Sequence, residues 1–285
     1  MSHREMSCKR ICAMTMVRND NFFLSRWVRY YGALLGKENL FVCFDGEDQT
    51  LPDDCQGVNV VVRRHVDMDV ASGDHDRASF MSDQAAARFA EGYERVIGGD
   101  VDEFLVVDPS LGKTLPELLS ENFRGSSLSG LGVDVAQNMI FEKELDKGRL
   151  FLEQREYAQL YPRYTKAVVM LKPARWGSGY HRIKGHDFRI VPGLYLFHFG
   201  CVDLEMLRSR SGDSARAQAG WSRHLKKRAR TIGIVSHYSP CNWDKVVGYV
   251  RWFQQLARPI FAWNKPTMFG KRIVVRIPER FRNLV

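Results

Sequence analysis

Three acids, Asp100, Asp102 and Glu103, stand between two apolar runs in Arg95-Val96-Ile97-Gly98-Gly99-Asp100-Val101-Asp102-Glu103-Phe104-Leu105-Val106-Val107-Asp108. Carboxylates beside buried strands are costly unless something neutralises them. A divalent cation is the simplest partner. In an extended segment residues i and i+2 point to one side. Asp100 and Asp102 are thus placed to offer oxygen ligands to one hard ion, Mg²⁺ or Mn²⁺. Such an ion would hold the phosphates of a nucleotide. The plainer alternative is a polar turn between two strands.

The segments around the cluster say what would position it. Arg10–Val17 reads as an apolar strand broken by Arg18-Asn19-Asp20. Asn19 or Asp20 can cap a helix over about Asn21–Leu35, in which Phe23, Trp27, Tyr30, Tyr31 and Leu34 recur at helical spacing and which Gly36 ends. Leu40–Phe44 and Val58–Val62 predict two more strands, with the polar loop Asp45-Gly46-Glu47-Asp48 between them. Ser82–Tyr93 predicts a helix, and Val96–Ile97 a short strand entering the acidic cluster. Strands alternating with helices argue for an α/β fold with a mostly parallel central sheet covered on both faces. The polar residues then fall at the carboxyl ends of the strands, where such sheets bind ligands. Further on, Leu115–Ser120 reads as a short helix with Pro116 near its start, and the Gly/Ser-rich 125–132 as a loop. Residues 150–200 are strand-like and aromatic. Leu204–Ala219 and Lys245–Leu256 read as helices.

The chain has 285 residues, 45% hydrophobic and 26% charged, with a mean hydropathy of −0.31, as expected of a globular protein with a sizeable core. No apolar run approaches the ~20 residues of a membrane span. Met1–Arg10 lacks the apolar core of a secretory signal, so the expected location is the cytoplasm. The six cysteines form no Cys-x-x-Cys pair and no zinc-type spacing, and read as reduced thiols. The net charge of +9 is uneven: residues 201–285 hold 17 Lys/Arg against 5 Asp/Glu, leaving 25 against 28 in residues 1–200. This divides the chain into an acidic-centred body and a basic, mostly helical C-terminal region suited to a polyanion or a membrane face.

Three segments share one pattern. Met16-Val17-Arg18-Asn19-Asp20 with Phe23-Leu24 and Trp27-Val28 is similar to the opening of family-2-like glycosyltransferases, most nearly the bacterial relatives of glycosyltransferase family 92. Gly99-Asp100-Val101-Asp102-Glu103-Phe104-Leu105 resembles that group's Asp-x-Asp-Glu-Phe metal motif. Phe197-His198-Phe199 followed by Arg208-Ser209 resembles its later His-Tyr and Arg-Ser segment, while Asp20 stands where the group more often has Glu. The resemblance implies the GT-A (Rossmann-like) nucleotide-sugar-binding fold over residues 1–200. A nucleotide-binding half would cover about 10–108 and an acceptor half about 109–200. The activity implied is that of a hexosyltransferase with a UDP-sugar donor and Mn²⁺ or Mg²⁺, acting on a glycan or lipid-linked glycan acceptor, as in bacterial surface polysaccharide synthesis. Val17, Arg18 and Asn19 would line the nucleotide pocket, with Asp45 near the base or ribose. Asp100 and Asp102 would hold metal and diphosphate with Glu103 in support. His198 would be a metal or phosphate contact.

Other positions follow from what such a transfer needs. Inversion requires a carboxylate base, and Asp134 and Asp187 are the candidates. Asp74 and Asp76 are alternative nucleotide contacts. Arg77 and Lys166 are candidate phosphate or sugar contacts, and His181 in the Gly-rich aromatic loop Trp176–Arg182 is a further site candidate. Trp176, Tyr180 and Trp221 could stack on sugars, although aromatics are also core material. Trp221–Arg230 and Lys271–Arg282 interleave cations with apolar groups, as a peripheral contact with anionic membrane at its inner face would require, or simply as a solvated face would. No zinc-finger, RNP-like or helix-turn-helix pattern appears, so nucleic acid is not expected as a partner. Two other activities stay open: a nucleotidyltransferase on a related fold, disfavoured by the glycine-free Arg18-Asn19-Asp20-Asn21 loop, and a non-catalytic polyanion- or membrane-binding protein.

Overall fold

A computed structural model describes residues 8–211 and 230–285. Its central block is four parallel strands in the order β4-β1-β2-β3: β1 (Ile11–Val17), β2 (Leu40–Asp45), β3 (Asn59–Arg63) and β4 (Arg95–Asp100). β1 shows why both faces are covered. Ile11, Ala13 and Val17 face one hydrophobic cluster, and Cys12, Met14 and Met16 face another, as the two-residue period of a strand dictates. Helix α1 (Asn21–Leu35) covers the first face with Phe23, Leu24, Trp27, Val28 and Tyr31. Asp20 caps it by accepting from Phe23 N at 3.4 Å. Helix α2 (Val70–Ala90) covers the other face with Ala78, Met81 and Ala85.

Helix α2 begins twelve residues before the expected Ser82. Its first turns, Val-Ala-Ser-Gly-Asp-His-Asp, are poor helix formers. They are held by the Asp69 carboxylate, which accepts from Ala71 N and Ser72 N at 2.9 and 3.2 Å. Asp74 and Asp76 therefore lie on a helix.

After β4 the chain turns at Val101-Asp102 and enters β5 (Glu103–Val107), which leaves the parallel block to pair antiparallel with β9 (Ile190–Cys201). The backbone of Leu105 is tied to α1: its N–H donates to the Tyr31 hydroxyl and its carbonyl accepts from Tyr30 Oη, both at 2.8 Å. The remaining strands are β6 (Ser127–Ala136), β7 (Tyr157–Leu160), β8 (Val169–Met170), β10 (Cys241–Asn242) and β11 (Val274–Arg276). β8 joins β4 to β6, and β6 carries β7 and β9 onward. α3 (Leu115–Ser120), opened by a capping box at Thr114, packs under the first face.

The expected Gly/Ser loop at 125–132 is instead the start of β6, buried along its whole length. Its glycines serve close packing. A Cβ on Gly132 would lie 2.4 Å from the backbone of Thr165 and Tyr164, and one on Gly130 2.7 Å from that of Leu196.

The described part of residues 201–285 comprises α4 (Leu204–Ser211), a helical segment at 230–237, α5 (Trp243–Leu256) and two strands. β11 pairs with β7, and Val275, Ile277 and Phe281 sit in the same cluster as α1, so this segment shares the core of the body. The interleaved Lys271–Arg282 owes its pattern to that strand. Val274, Val275, Ile277 and Phe281 point inward and the cations outward, apart from Arg280, which pairs with Asp108 and Asp244. Trp221–Arg230 lies outside the described residues except for Arg230. No helix among the described residues is long and apolar enough to cross a membrane.

Candidate functional site

In the order β4-β1-β2-β3 the direction of succession reverses between β1 and β4. The carboxyl edge there is the crevice in which open α/β sheets hold ligands. Asp100 ends β4 in register with Met16 of β1, so Val17, Arg18 and Asn19 emerge beside it. Asn19 has φ 51°, a left-handed conformation that asparagine tolerates better than most residues. Its N–H donates to Gln49 Oε1 at 2.8 Å, and Arg18 pairs with Asp48. A polar cavity of about 300 Å³ is lined by Asn19, Asn21, Asp48, Gln49 and Thr50. A larger, mainly apolar cavity of about 430 Å³ lies elsewhere, between α1, the end of β5 and residues 283–285.

Asp100 and Asp102 do not act as the same-side pair of an extended strand, because Val101 and Asp102 form the turn between β4 and β5. Each carboxylate has its own partners. Asp100 is held by Arg77 Nη1 at 2.9 Å and Lys166 Nζ at 2.8 Å. Burial pushes its carboxyl group up, but these two cations together hold it well below the usual carboxylate range. Lys166 also reaches Glu103 Oε1 at 2.5 Å. Burial opposes the charge on Lys166, yet Asp100 and Glu103 keep its pKa above the ordinary lysine value. Just before the cluster, Gly98 lets Trp176 lie against β4, since a Cβ there would sit 2.4 Å from its ring.

Asp102 faces His198, with Oδ2 3.5 Å from Nε2. Strand register builds the rest: Glu103, His198 and Asp134 are neighbours across β5, β9 and β6. His198 Nδ1 lies 2.6 Å from Asp134 Oδ1, and Thr231 Oγ1 donates to Asp134 Oδ2 at 2.8 Å. Tyr164 stacks on the imidazole at 3.8 Å between centroids. Burial disfavours the imidazolium, but Asp102 and Asp134 outweigh it and raise the pKa of His198.

The donors at Asp102 and His198 fit a divalent cation. His198 Nε2 is buried, and its approach to Asp102 Oδ2 at 3.5 Å is longer than a good hydrogen bond. A Cβ on Gly200 would come within 2.5 Å of Nε2 and 2.9 Å of Asp102 Oδ2, so only glycine lets the backbone pass this close to both groups. A histidine whose other nitrogen is fixed by a carboxylate is the usual arrangement of a metal-binding imidazole. The set is incomplete by itself, since no three His, Cys, Asp or Glu side chains among the described residues gather as a ready cage. An ion that takes oxygens from bound phosphates needs no such cage.

The structure brings Arg77, Asp100, Asp102, His198 and Asp134 together. His181 is drawn in as well: burial, then Lys166, Lys265 and Arg163, push its pKa well below the ordinary value, against the pull of Asp100. Lys166 belongs to the centre of the cluster, which sequence hinted at only as a loose contact.

The expectations for Asp134, Trp176 and Tyr180 need correcting, and the remaining candidates have partners of their own. Asp134 is no acceptor-facing base. It lies inside a sheet, about 1% exposed, with both oxygens engaged. Asp187 is exposed but contacts Phe188 N and Arg258, away from the acidic cluster. Asp45 is held by Arg63 at 2.7 Å and His65 at 2.8 Å. Asp74 pairs with Arg77 and Asp76 with Arg63. Trp176 and Tyr180 are buried and cannot stack on a sugar. Trp176 donates to Ala167 O, and Tyr180 sits at φ 58° with its hydroxyl unpartnered, under the guanidinium of Arg77. Trp221 lies outside the described residues.

No protein-family model and no curated protein matches the chain. Among solved structures it is similar to the mannosyltransferase PcManGT from Pyrobaculum calidifontis in complex with GDP-Man and Mn²⁺, at 12% identity and TM-score 0.40 over 79% of this chain and 65% of that one. The chain thus spans slightly less than two thirds of that protein's length. It is also similar to a mannose-1-phosphate geranyltransferase from Thermus thermophilus (10% identity, TM-score 0.27, 94% and 74% covered). A third is a glycosyltransferase involved in the glycosylation of the major capsid of PBCV-1 (11% identity, TM-score 0.26, 85% and 88% covered). Likenesses this remote transfer no residue roles, donor or metal to the chain.

Proposed function

We propose that the protein is a GT-A-type glycosyltransferase. It moves a hexose from a nucleoside-diphosphate sugar, UDP-linked by the family resemblance, to a glycan hydroxyl in bacterial surface polysaccharide synthesis. One observation carries this reading: a buried His198 Nε2 lies 3.5 Å from Asp102 Oδ2 beside the Arg77–Asp100–Lys166 cluster, at the switch point of a parallel sheet.

Glycosyl transfer breaks the bond between the anomeric carbon and a phosphate oxygen, so negative charge grows on the departing diphosphate. Arg77 and Lys166 are preorganised cations next to where that charge would gather. Their pairing with Asp100 keeps them fixed and charged before the donor arrives. Asp102 and His198 would hold Mn²⁺ or Mg²⁺, which when bound acts as a Lewis acid on the diphosphate. Val17, Arg18 and Asn19, with the polar cavity lined by Asn19 and Gln49, would take the nucleoside. Asp45 ends the neighbouring strand and would meet its ribose. Transfer is proposed to invert. Neither acid considered as base is placed for it: Asp134 is buried with both oxygens engaged, and Asp187 pairs with Arg258 outside the acidic cluster.

Calorimetric titration of UDP with and without Mn²⁺ tests the reading. We expect Mn²⁺ to tighten UDP binding at least about tenfold, a coupling within the range two bound ligands show. Asp102→Ala should abolish both the coupling and sugar transfer while the protein melts normally. UDP binding that ignores Mn²⁺ and chelator alike would remove the metal-assisted mechanism. Release of pyrophosphate from a nucleoside triphosphate, with no UDP from UDP-sugars, would instead mark a nucleotidyltransferase.

A further inference from the structure

Helix α5 is apolar on two sides. Trp243 and Val250 are buried, while Tyr249, Trp252 and Leu256, spaced three and four apart, are exposed on the outer face. The loop after it continues the exposed surface. Ile260 is fully exposed (106%) and Phe261 86% exposed, followed by Trp263 and Phe269. These side chains are held out by structure. Between them Ala262, Asn264 and Met268 are buried, and Asn264 Nδ2 donates to Ile183 O at 3.1 Å. Phe269 meets Phe253 of α5 edge-on at 6.3 Å, which joins loop and helix into one surface. Contiguous exposed apolar surface of this kind marks an interaction site.

The charge around the patch says what it meets. Residues 245–272 contain Lys245, Arg251, Arg258, Lys265, Lys271 and Arg272, and no Asp or Glu. Exposed Trp, Phe, Ile and Leu on a segment that carries six cations and no anion of its own, with Arg258 paired to Asp187, is the make-up of a surface that inserts side chains at the lipid headgroup boundary and attracts acidic lipids.

We propose that α5 and the 257–272 loop dock the protein on an anionic membrane. Ile260, Phe261 and Trp263 enter the acyl boundary, and Lys271 and Arg272 meet headgroup phosphates. The loop is anchored on the strand-like hairpin that carries His181, through Asn264 and the bridge between Trp176 and Ile183. Docking thus sets the candidate site close to the lipid surface. Under the transfer reading, and resting on it, the acceptor is lipid-borne.

The test uses the full chain and vesicles of phosphatidylcholine with or without an equal part of phosphatidylglycerol. The protein should float with the acidic vesicles and not with the neutral ones. Lipids brominated on their acyl chains should quench its tryptophan fluorescence. The triple variant Ile260→Ser, Phe261→Ser, Trp263→Ser should melt like the parent and lose at least about tenfold in vesicle partitioning, the scale of withdrawing large apolar groups from the interface. Lys271→Glu with Arg272→Glu should abolish the preference for acidic lipid. The proposal is overturned if the parent stays unbound at low salt, if the serine variant binds equally well, or if sedimentation shows a dimer that the serine changes dissolve. No turnover enters this assay, so its failure leaves the transfer reading standing, and a failed UDP titration leaves the docking result standing.

Discussion

His198 Nδ1 and Asp134 Oδ1 lie 2.6 Å apart in the sheet interior, and Asp134 in turn accepts from Thr231 at 2.8 Å. This fixes which imidazole nitrogen faces Asp102. A carboxylate behind a histidine raises the basicity of the exposed nitrogen and holds the ring in place. Asp134→Asn should therefore weaken Mn²⁺ binding by about 10–100-fold, with much smaller loss of activity at saturating Mn²⁺. Calorimetry with Mn²⁺ and UDP reads the effect. Equal loss at all Mn²⁺ concentrations would mean that Asp134 takes part in the chemistry itself.

Lys166 neutralises two acids at once, Asp100 at 2.8 Å and Glu103 at 2.5 Å, while almost fully buried. Removing one member of a buried ion network leaves uncompensated charge. Lys166→Met should cost about 3–5 kcal/mol of stability in urea unfolding. Adding Glu103→Gln should recover part of the loss, because one stranded carboxylate is then gone. A double variant no more stable than the single one would show that Glu103 is not held by Lys166.

Arg280 grips Asp108 through two nitrogens, at 2.8 and 3.1 Å. Burial pushes the Asp108 carboxyl up, but Arg280 and the Ser110 N–H outweigh it and leave its pKa below the ordinary value. A depressed carboxylate contributes stability above its unfolded pKa and loses it as pH falls through the folded value. Arg280→Gln should thus cost about 1–3 kcal/mol at neutral pH. The gap to the parent should close below about pH 4, where aspartate titrates. Denaturation at both pH values checks this, and a gap independent of pH would assign the effect to packing.

Gly132 faces the backbone of 161–165, with Thr165 N and Tyr164 C 2.4 Å from where a Cβ would be. Main chain cannot step aside as a flexible side chain can. Gly132→Ala should destabilise by about 3 kcal/mol or more. Gly248, inside α5, would meet nothing within 4 Å. Gly248→Ala should stabilise by roughly 0.5–1 kcal/mol through helix propensity alone. Thermal melts of the pair give opposite signs if the reasoning holds.

The α/β alternation and the acidic cluster were legible because local rules govern them. The apolar run Ile11–Val17, the Asp20 cap and the periodicity of α1 each rest on neighbouring residues. β6 was illegible because Gly130 and Gly132 look like loop residues until their neighbours, tens of residues away, are known. The same distance hid the role of Asp134, whose partner His198 is 64 positions further on. Helix α2 was read short because its first turn depends on one cap, Asp69, and on tertiary cover, with a sequence that favours coil. Arg77 and Lys166 were named only as loose contacts, since nothing local joins either of them to Asp100.

The distances along the chain also set an order of assembly. β1 to β4 can form from the first hundred residues, but β9 must reach back to β5 and β6, and β11 to β7, where Val274 pairs with Gln159. Contacts so far apart in sequence are slow to form and leave strand edges bare meanwhile. During synthesis β1 to β4 would therefore stand paired while His198 still lacked Thr231 beneath its aspartate. The centre is completed late, once the helical segment at 230–237 has left the ribosome, and a chain stalled before then would be prone to aggregate.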